Sequence, residues 1–165
     1  MAAVVTSLLL VWAVYGQPLA YDFVLWDDDR NIFLNPHLRV LDWEQLWWML
    51  TDSAYTRMYM PLSWLSFALI HHMLGPSPFG FHLTNVVVHG ANTILVFVLI
   101  RGLLVYCGSD ARSAGTARRT IAAFAATCIW GLHPLRVEVV AWSSELLHGQ
   151  ATLFMITSLS LLAVL

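Results

Sequence analysis

Seven of the chain's ten acidic residues, Asp22, Asp27, Asp28, Asp29, Asp42, Glu44 and Asp52, fall between positions 22 and 52, in a chain that is otherwise almost uncharged. Ionised carboxylates are expensive inside a bilayer, so that stretch must sit in water or at a membrane rim. Everything around it is apolar. Hydrophobic residues make up 59% and charged residues 11% of the 165 positions, against roughly 25% charged in soluble globular chains, and mean hydropathy is +0.69. This composition points to a polytopic membrane protein. The formal net charge of −2 is too small to argue for a nucleic-acid partner, and all eight positive charges are Arg. Cys107 and Cys128 lie in or beside apolar runs and read as packing residues rather than a disulfide or metal pair.

Four stretches read as spans: 2–20, 81–106, 120–132 and 146–165. No basic segment precedes the first, which argues for a retained helix over a signal peptide. Arg118 and Arg119 can extend the short third span by snorkelling. Arg101, Arg112, Arg118 and Arg119 surround the loop Gly108–Thr116, opposed only by Asp110, so that loop (107–119) is expected to be cytoplasmic. The acidic region then lies on the other side, and an odd number of crossings must separate the two. Hence 81–106 crosses alone, and the apolar stretch 59–74 lies in the interface. Within the outer loop 21–78, Asp42 followed by Gln45 reads as a helix start. Trp43, Leu46, Trp47 and Leu50 then share one face, as in a helix lying on a membrane. Interfacial helices are expected over about 43–51 and 60–74.

His82, Asn85, His89 and Asn92 recur at i, i+3, i+7 and i+10, within about 80° of one another on a helix of 3.6 residues per turn. Such a polar stripe in a span either hydrogen-bonds neighbouring helices or lines a path for a lipid head group. His82 and His89 stand about 10 Å apart along the helix, too far to share one metal ion without other ligands. After the third span, Pro134 should break the helix, opening the outer loop 133–145. Glu138, Trp142 and Glu145 would share a face at i, i+4 and i+7. Arg136 is the one base at this edge, suited to a phosphate or to an acidic neighbour. No nucleophile elbow or Gly-rich phosphate loop is present.

Several motifs carry a resemblance. They are Trp26-Asp27-Asp28-Asp29-Arg30, Asn35-Pro36, Tyr59-Met60-Pro61-Leu62-Ser63-Trp64, Phe79-Gly80-Phe81-His82-Leu83-Thr84-Asn85 with His89, and His133-Pro134-Leu135-Arg136-Val137-Glu138-Val139-Val140-Ala141-Trp142. Over residues 10–145 the chain resembles the N-terminal part of GT-C-type, polyprenol-phosphate-sugar-dependent glycosyltransferases, nearest the tetratricopeptide-repeat branch related to protein O-mannosyltransferases. The resemblance implies an all-α polytopic membrane bundle with interfacial helices in its first outer loop. It implies a hexosyltransferase that moves a sugar, mannose by resemblance, from a polyprenyl- or dolichyl-phosphate donor to an extracytoplasmic protein or glycan acceptor.

By position, the resemblance makes Asp27 and Asp28 the candidates for the catalytic carboxylate that takes the acceptor's proton. Asp29, Arg30, His82, Asn85, His89, His133, Arg136 and Glu138 are the groups available to bind substrates or steady the departing phosphate. No cofactor is implied, and a divalent cation is left open. The expected location is a bacterial inner membrane with a periplasmic site, or the endoplasmic reticulum with a lumenal one. Two departures stand out: Met60 where the family has Arg, and Glu145-Leu146-Leu147-His148 where it runs Glu-Arg-Lys-Asp. They keep a different class in view, a non-catalytic relative that binds a lipid carrier or a partner protein. A proton-coupled transporter fits less well, because the acids lie outside the spans.

The topology has a direct test in single-cysteine labelling of intact cells. Cysteines near Asp29 and Arg136 should react with an impermeant reagent, and Arg112→Cys should not; outside labelling of Arg112→Cys would refute a single crossing between residues 58 and 107.

Overall fold

A helix of 29 residues, α4 (Pro78–Tyr106), is the element on which the others assemble. Pro78 needs no amide partner at the first helical position, and Ser77 before it is extended. Gly75 turns the chain into this start with φ +85, a conformation that favours glycine. Against α4 lie α1 (Ala2–Tyr15), α5 (Thr116–Gly131), α6 (Arg136–Ala141) and α7 (Leu146–Leu162). The remaining helices, α2 (Trp43–Thr51) and α3 (Pro61–Leu74), pack on each other, and α3 also packs on α4. This computed structural model describes residues 1–107 and 115–162, and among them the fold is all-α with no strand. Asp110, Arg112 and most of the expected cytoplasmic loop lie outside the described residues, as do positions 163–165.

Only α4, among the described residues, is long and apolar enough to cross a membrane. Its 29 residues rise about 43 Å. The expected span 2–20 forms a shorter helix. Pro18 has no N–H to give Val14, and Gln17–Ala20 tightens into a 3₁₀ turn, so α1 ends at Tyr15. Helix α5 ends at Gly131, before Pro134, as the proline requires.

The segment between α1 and α3 builds a core of its own. Ile32, Leu38, Met49 and Met60 bury themselves with Trp64, Phe67, Ala68 and Ile70 of α3, Phe81 of α4 and Leu146 of α7. Asp42 caps α2 by accepting the Gln45 N–H at 2.8 Å. Trp43, Trp47 and Leu50 are exposed along α2, while Leu46 is partly buried against the core. Trp48 departs from an interfacial placement. Its ring is stacked under His37 at 3.8 Å and leans on Trp64 at 5.4 Å, because positions 47 and 48 lie 100° apart on a helix. Met60, where the resemblance expects Arg, fills part of this core.

Three polar side chains of α4 tie the neighbouring helices to it. Asn85 Nδ2 donates to the Trp142 carbonyl at 2.7 Å, His89 Nε2 to the Gly131 carbonyl at 2.8 Å, and Asn92 Nδ2 to the Gly149 carbonyl at 2.9 Å. Two of the acceptors are glycines because the backbones approach closely. A Cβ on Gly149 would stand 3.2 Å from Val88 Cγ1, and one on Gly131 would stand 3.2 Å from Thr93 Oγ1. Small residues at helix contacts and buried polar bonds are how helices associate without a hydrophobic drive between them. Gly149→Val should therefore push α7 off α4 and cost about 1–3 kcal/mol, read as a lower midpoint of thermal unfolding, whereas the same change at exposed Gly102 should be far milder.

Candidate functional site

The three consecutive acids have three different surroundings. After α1 and its 3₁₀ turn the chain runs without regular structure from Tyr21 to Val24, turns over Leu25–Asp27, and enters a single π-helical turn, Asp29–Phe33. Asp28 closes that turn from within: its Oδ2 accepts the Val24 N–H at 3.0 Å. Its Oδ1 accepts both the N–H of Ser144 at 2.8 Å and the Ser144 hydroxyl at 2.5 Å. The carboxylate is 0% exposed. Asp29 is half-buried and accepts the N–H of Arg30 at 2.8 Å. Asp27 is half-buried, and its carboxylate has no hydrogen-bond partner among the described residues. A π turn is a recurrent feature of functional sites.

The segment leading into this turn forms one wall of an open cleft of about 620 Å³, lined by Tyr21, Val24 and Trp26 on one side and by Val137, Glu138, Ala141 and Trp142 on the other, with none of the three acids in the lining. Trp26 is 75% exposed at its mouth. Glu138 contributes the one acidic side chain of the lining. The expected common face of Glu138, Trp142 and Glu145 does not form. Helix α6 stops at Ala141 and Trp142 is extended, with φ −99 and ψ 121. Glu145 leaves instead toward α7 and pairs with His148 at 2.5 Å.

The other candidates fall in three places. His82 is fully buried, with Ser143 Oγ 3.4 Å from its Nδ1. Asn85, His89 and Arg136 border a small enclosed cavity of about 10 Å³ with Asn92 and Trp130. There His89 stacks on Trp130 and meets the edge of Tyr15. Arg136 lies 4.6 Å over the same indole, a cation–π contact that occupies the guanidinium without an acid. Arg136 and Val139 face the cavity while Val137, Glu138 and Ala141 face the cleft, so α6 separates Arg136 from the acidic turn. His133 is exposed; its carbonyl accepts the Tyr15 hydroxyl at 3.2 Å and its Nδ1 accepts the Leu135 N–H at 3.3 Å. Arg30 lies over Tyr55 at 5.4 Å, away from the cleft lining. No group of three His, Cys, Asp or Glu that could hold a metal ion occurs among the described residues.

Ser143 and Ser144 were not singled out by sequence reasoning. One signal was available: Ser143-Ser144-Glu145 directly precedes the apolar run from Leu146, which is how a helix start reads. Its link to Asp28, 116 positions earlier, has no local signature.

Fold and site together define an all-α, strongly apolar protein whose acidic turn is bonded to the start of a distant helix beside an open cleft. The relatives give this class its family. Mouse (Mus musculus) "Protein O-mannosyl-transferase TMTC2" is 32% identical over 166 residues, covering 96% of this chain and 18% of that protein. Mouse "Protein O-mannosyl-transferase TMTC4" is 32% identical over 131 residues, 73% of this chain and 17% of its own length. Drosophila melanogaster "Protein O-mannosyl-transferase Tmtc1" is 31% identical over 139 residues, 80% and 15%. The chain belongs to this family of TMTC protein O-mannosyl-transferases, and it spans about 18% of the length of the curated TMTC2 relative. No protein family profile matches the chain, and no solved structure does.

The helix-end bonds make a prediction of their own. Asn85→Leu removes the side-chain donor to the Trp142 carbonyl, which keeps the Glu145 N–H at 3.1 Å, and should cost about 0.5–1.5 kcal/mol, the net worth of one hydrogen bond, seen as reduced thermal stability and as faster proteolysis around residues 133–145.

Proposed function

We propose that this chain forms part of a membrane glycosyltransferase of the GT-C type, transferring mannose from a polyprenyl-phosphate carrier to a hydroxyl of an extracytoplasmic protein. The observation that carries this reading is the acidic turn. One carboxylate, Asp28, is consumed in building it, and its neighbour Asp27 has no hydrogen-bond partner among the described residues and directly follows the cleft-lining Trp26 in sequence. The kinship to proteins named O-mannosyl-transferases supports it. The apolar helix α4 is consistent with a membrane location; α1, α5 and α7 complete a bundle of four spans in this reading, with α2 and α3 lying along the surface.

In the reaction the acceptor oxygen attacks the anomeric carbon, the bond from that carbon to the phosphate oxygen breaks, and Asp27 takes the acceptor's proton. The sugar stacks on the aromatic walls, and Glu138 accepts from its hydroxyls. The cleft lining itself contains no cation. Arg136 on the far flank of α6 is the group from which a positive field would reach the leaving phosphate.

That same lack of a cleft cation favours a second reading, a non-catalytic relative that binds the lipid carrier. Met60 and Leu146, at positions where the family carries different residues, are both buried in the apolar core.

Mutation at Asp27 separates the two. In membranes carrying the full-length protein, Asp27→Asn should lower mannosyl transfer from a polyprenyl-phosphate donor by about 10²–10⁴-fold, as loss of a positioned base does, at unchanged expression. Wild-type turnover in Asp27→Asn would remove this carboxylate from the chemistry and leave the carrier-binding reading.

A further inference from the structure

The two walls of the cleft come from segments more than a hundred positions apart, and one buried side chain joins those segments. Asp28 reaches back to the Val24 N–H and so shapes the turn that presents Trp26 and Asp27. The same carboxylate reaches across to Ser144, two residues beyond Trp142 of the opposite wall. Both Asp28 and Ser144 are buried, at 0% and 3% exposure. Hydrogen bonds to an ionised acceptor are about twice as strong as neutral ones. The site adds a field of the right sign, because Ser143–Glu145 runs as a 3₁₀ turn directly into α7 at Leu146, and the start of a helix favours a nearby anion.

We infer that Ser144 is a positioning residue: through its N–H and hydroxyl it fixes the Asp28 carboxylate, and thereby sets Trp26 and Asp27 against the wall that carries Glu138 and Trp142. Asp28 acts in the same way rather than as the base. The inference deepens the transferase reading and rests on it for its kinetic consequence. The geometric consequence stands apart from that reading.

The physical argument turns on what each group can still do. Three donors converge on Asp28 from two chain segments, which leaves a buried anion fully committed. Removing the Ser144 hydroxyl takes away one of them and leaves the charge buried and under-bonded. The turn then gains freedom relative to α7, and Asp27, adjacent in sequence and without a partner among the described residues, moves with it. A displacement of about 1 Å at a reacting group is enough to cost about 10²-fold in rate.

The experiment has two readouts on the full-length protein in membranes. The first is amide hydrogen exchange of residues 22–28 in wild type, Ser144→Ala, Ser144→Thr and Asp28→Asn. Exchange in this segment, the Val24 amide included, should quicken in Ser144→Ala and Asp28→Asn, and Ser144→Thr, which keeps the hydroxyl, should restore protection. The second is mannosyl transfer from polyprenyl-phosphate mannose over a range of donor concentrations. Here Ser144→Ala should lose about 10–10²-fold in kcat with KM nearly unchanged, as misplacement of a reacting group predicts, and Ser144→Thr should recover most of it. Unchanged exchange of residues 22–28 in Ser144→Ala overturns the inference. So does faster exchange with an unchanged kcat, since Ser144 would then only staple two segments. If Ser144→Ala does not fold, Asp28→Asn decides by the same two criteria. Absence of transfer in wild type overturns the transferase reading, and exchange alone then decides whether the two segments are coupled.

Discussion

Hydrogen bonds from one face of α4 to backbone carbonyls of neighbouring elements hold the rest of the structure in place. The last carbonyls of a helix have no partner within it, and a buried carbonyl without a partner is costly. His89 supplies the missing donor to Gly131, the last residue of α5, while Asn85 adds a donor to the Trp142 carbonyl, which also accepts the Glu145 N–H, and Asn92 bonds the Gly149 carbonyl in the first turn of α7. Each bond sets the height of a neighbouring element along α4. The Asn85 bond reaches the cleft directly, because its acceptor belongs to Trp142 of the cleft wall. A stripe that could have lined a lipid path is used here to fasten α5, α6 and α7.

On that frame the acidic turn is placed by a single charge. Carboxylates at consecutive positions would be alike on composition alone. Geometry separates them: Asp28 is enclosed by three donors, Asp29 accepts from its own neighbour, and Asp27 has no partner among the described residues. The cost of burying an anion is met by charge-assisted bonds and by the start of α7. The division of labour follows from the direction in which each side chain leaves a tight turn, and not from the identity of the residue.

Two positions where the resemblance implies other residues are filled by packing. Met60 and Leu146 lie in the core that ties α3, α4 and α7 together. His148, at the last position of the second departure, pairs with Glu145 one turn earlier, so the start of α7 keeps an acid and a titratable base side by side. Arg136, separated from the cleft by α6, rests on Trp130 beside His89.

Much of this was legible in the sequence by itself. The all-α fold followed from apolar stretches of helical length. The stop before Pro134 followed from its missing amide, and the start of α2 from Asp42 three residues ahead of Gln45. The polar stripe on α4 followed from 3.6-residue periodicity. These are local properties, decided by backbone hydrogen bonding and by which side chains share a face. Partners were not legible. That Trp48 turns under His37 while Trp47 stays exposed, that Arg136 faces away from the acids, and that Asp28 meets Ser144 are all decided by contacts between distant segments. Periodicity says which residues share a face, but only the packed structure says what that face meets. Where a buried charge finds its donors 116 positions away, the reason is that desolvation penalises every arrangement that leaves it unpaired, and this penalty acts on the folded whole.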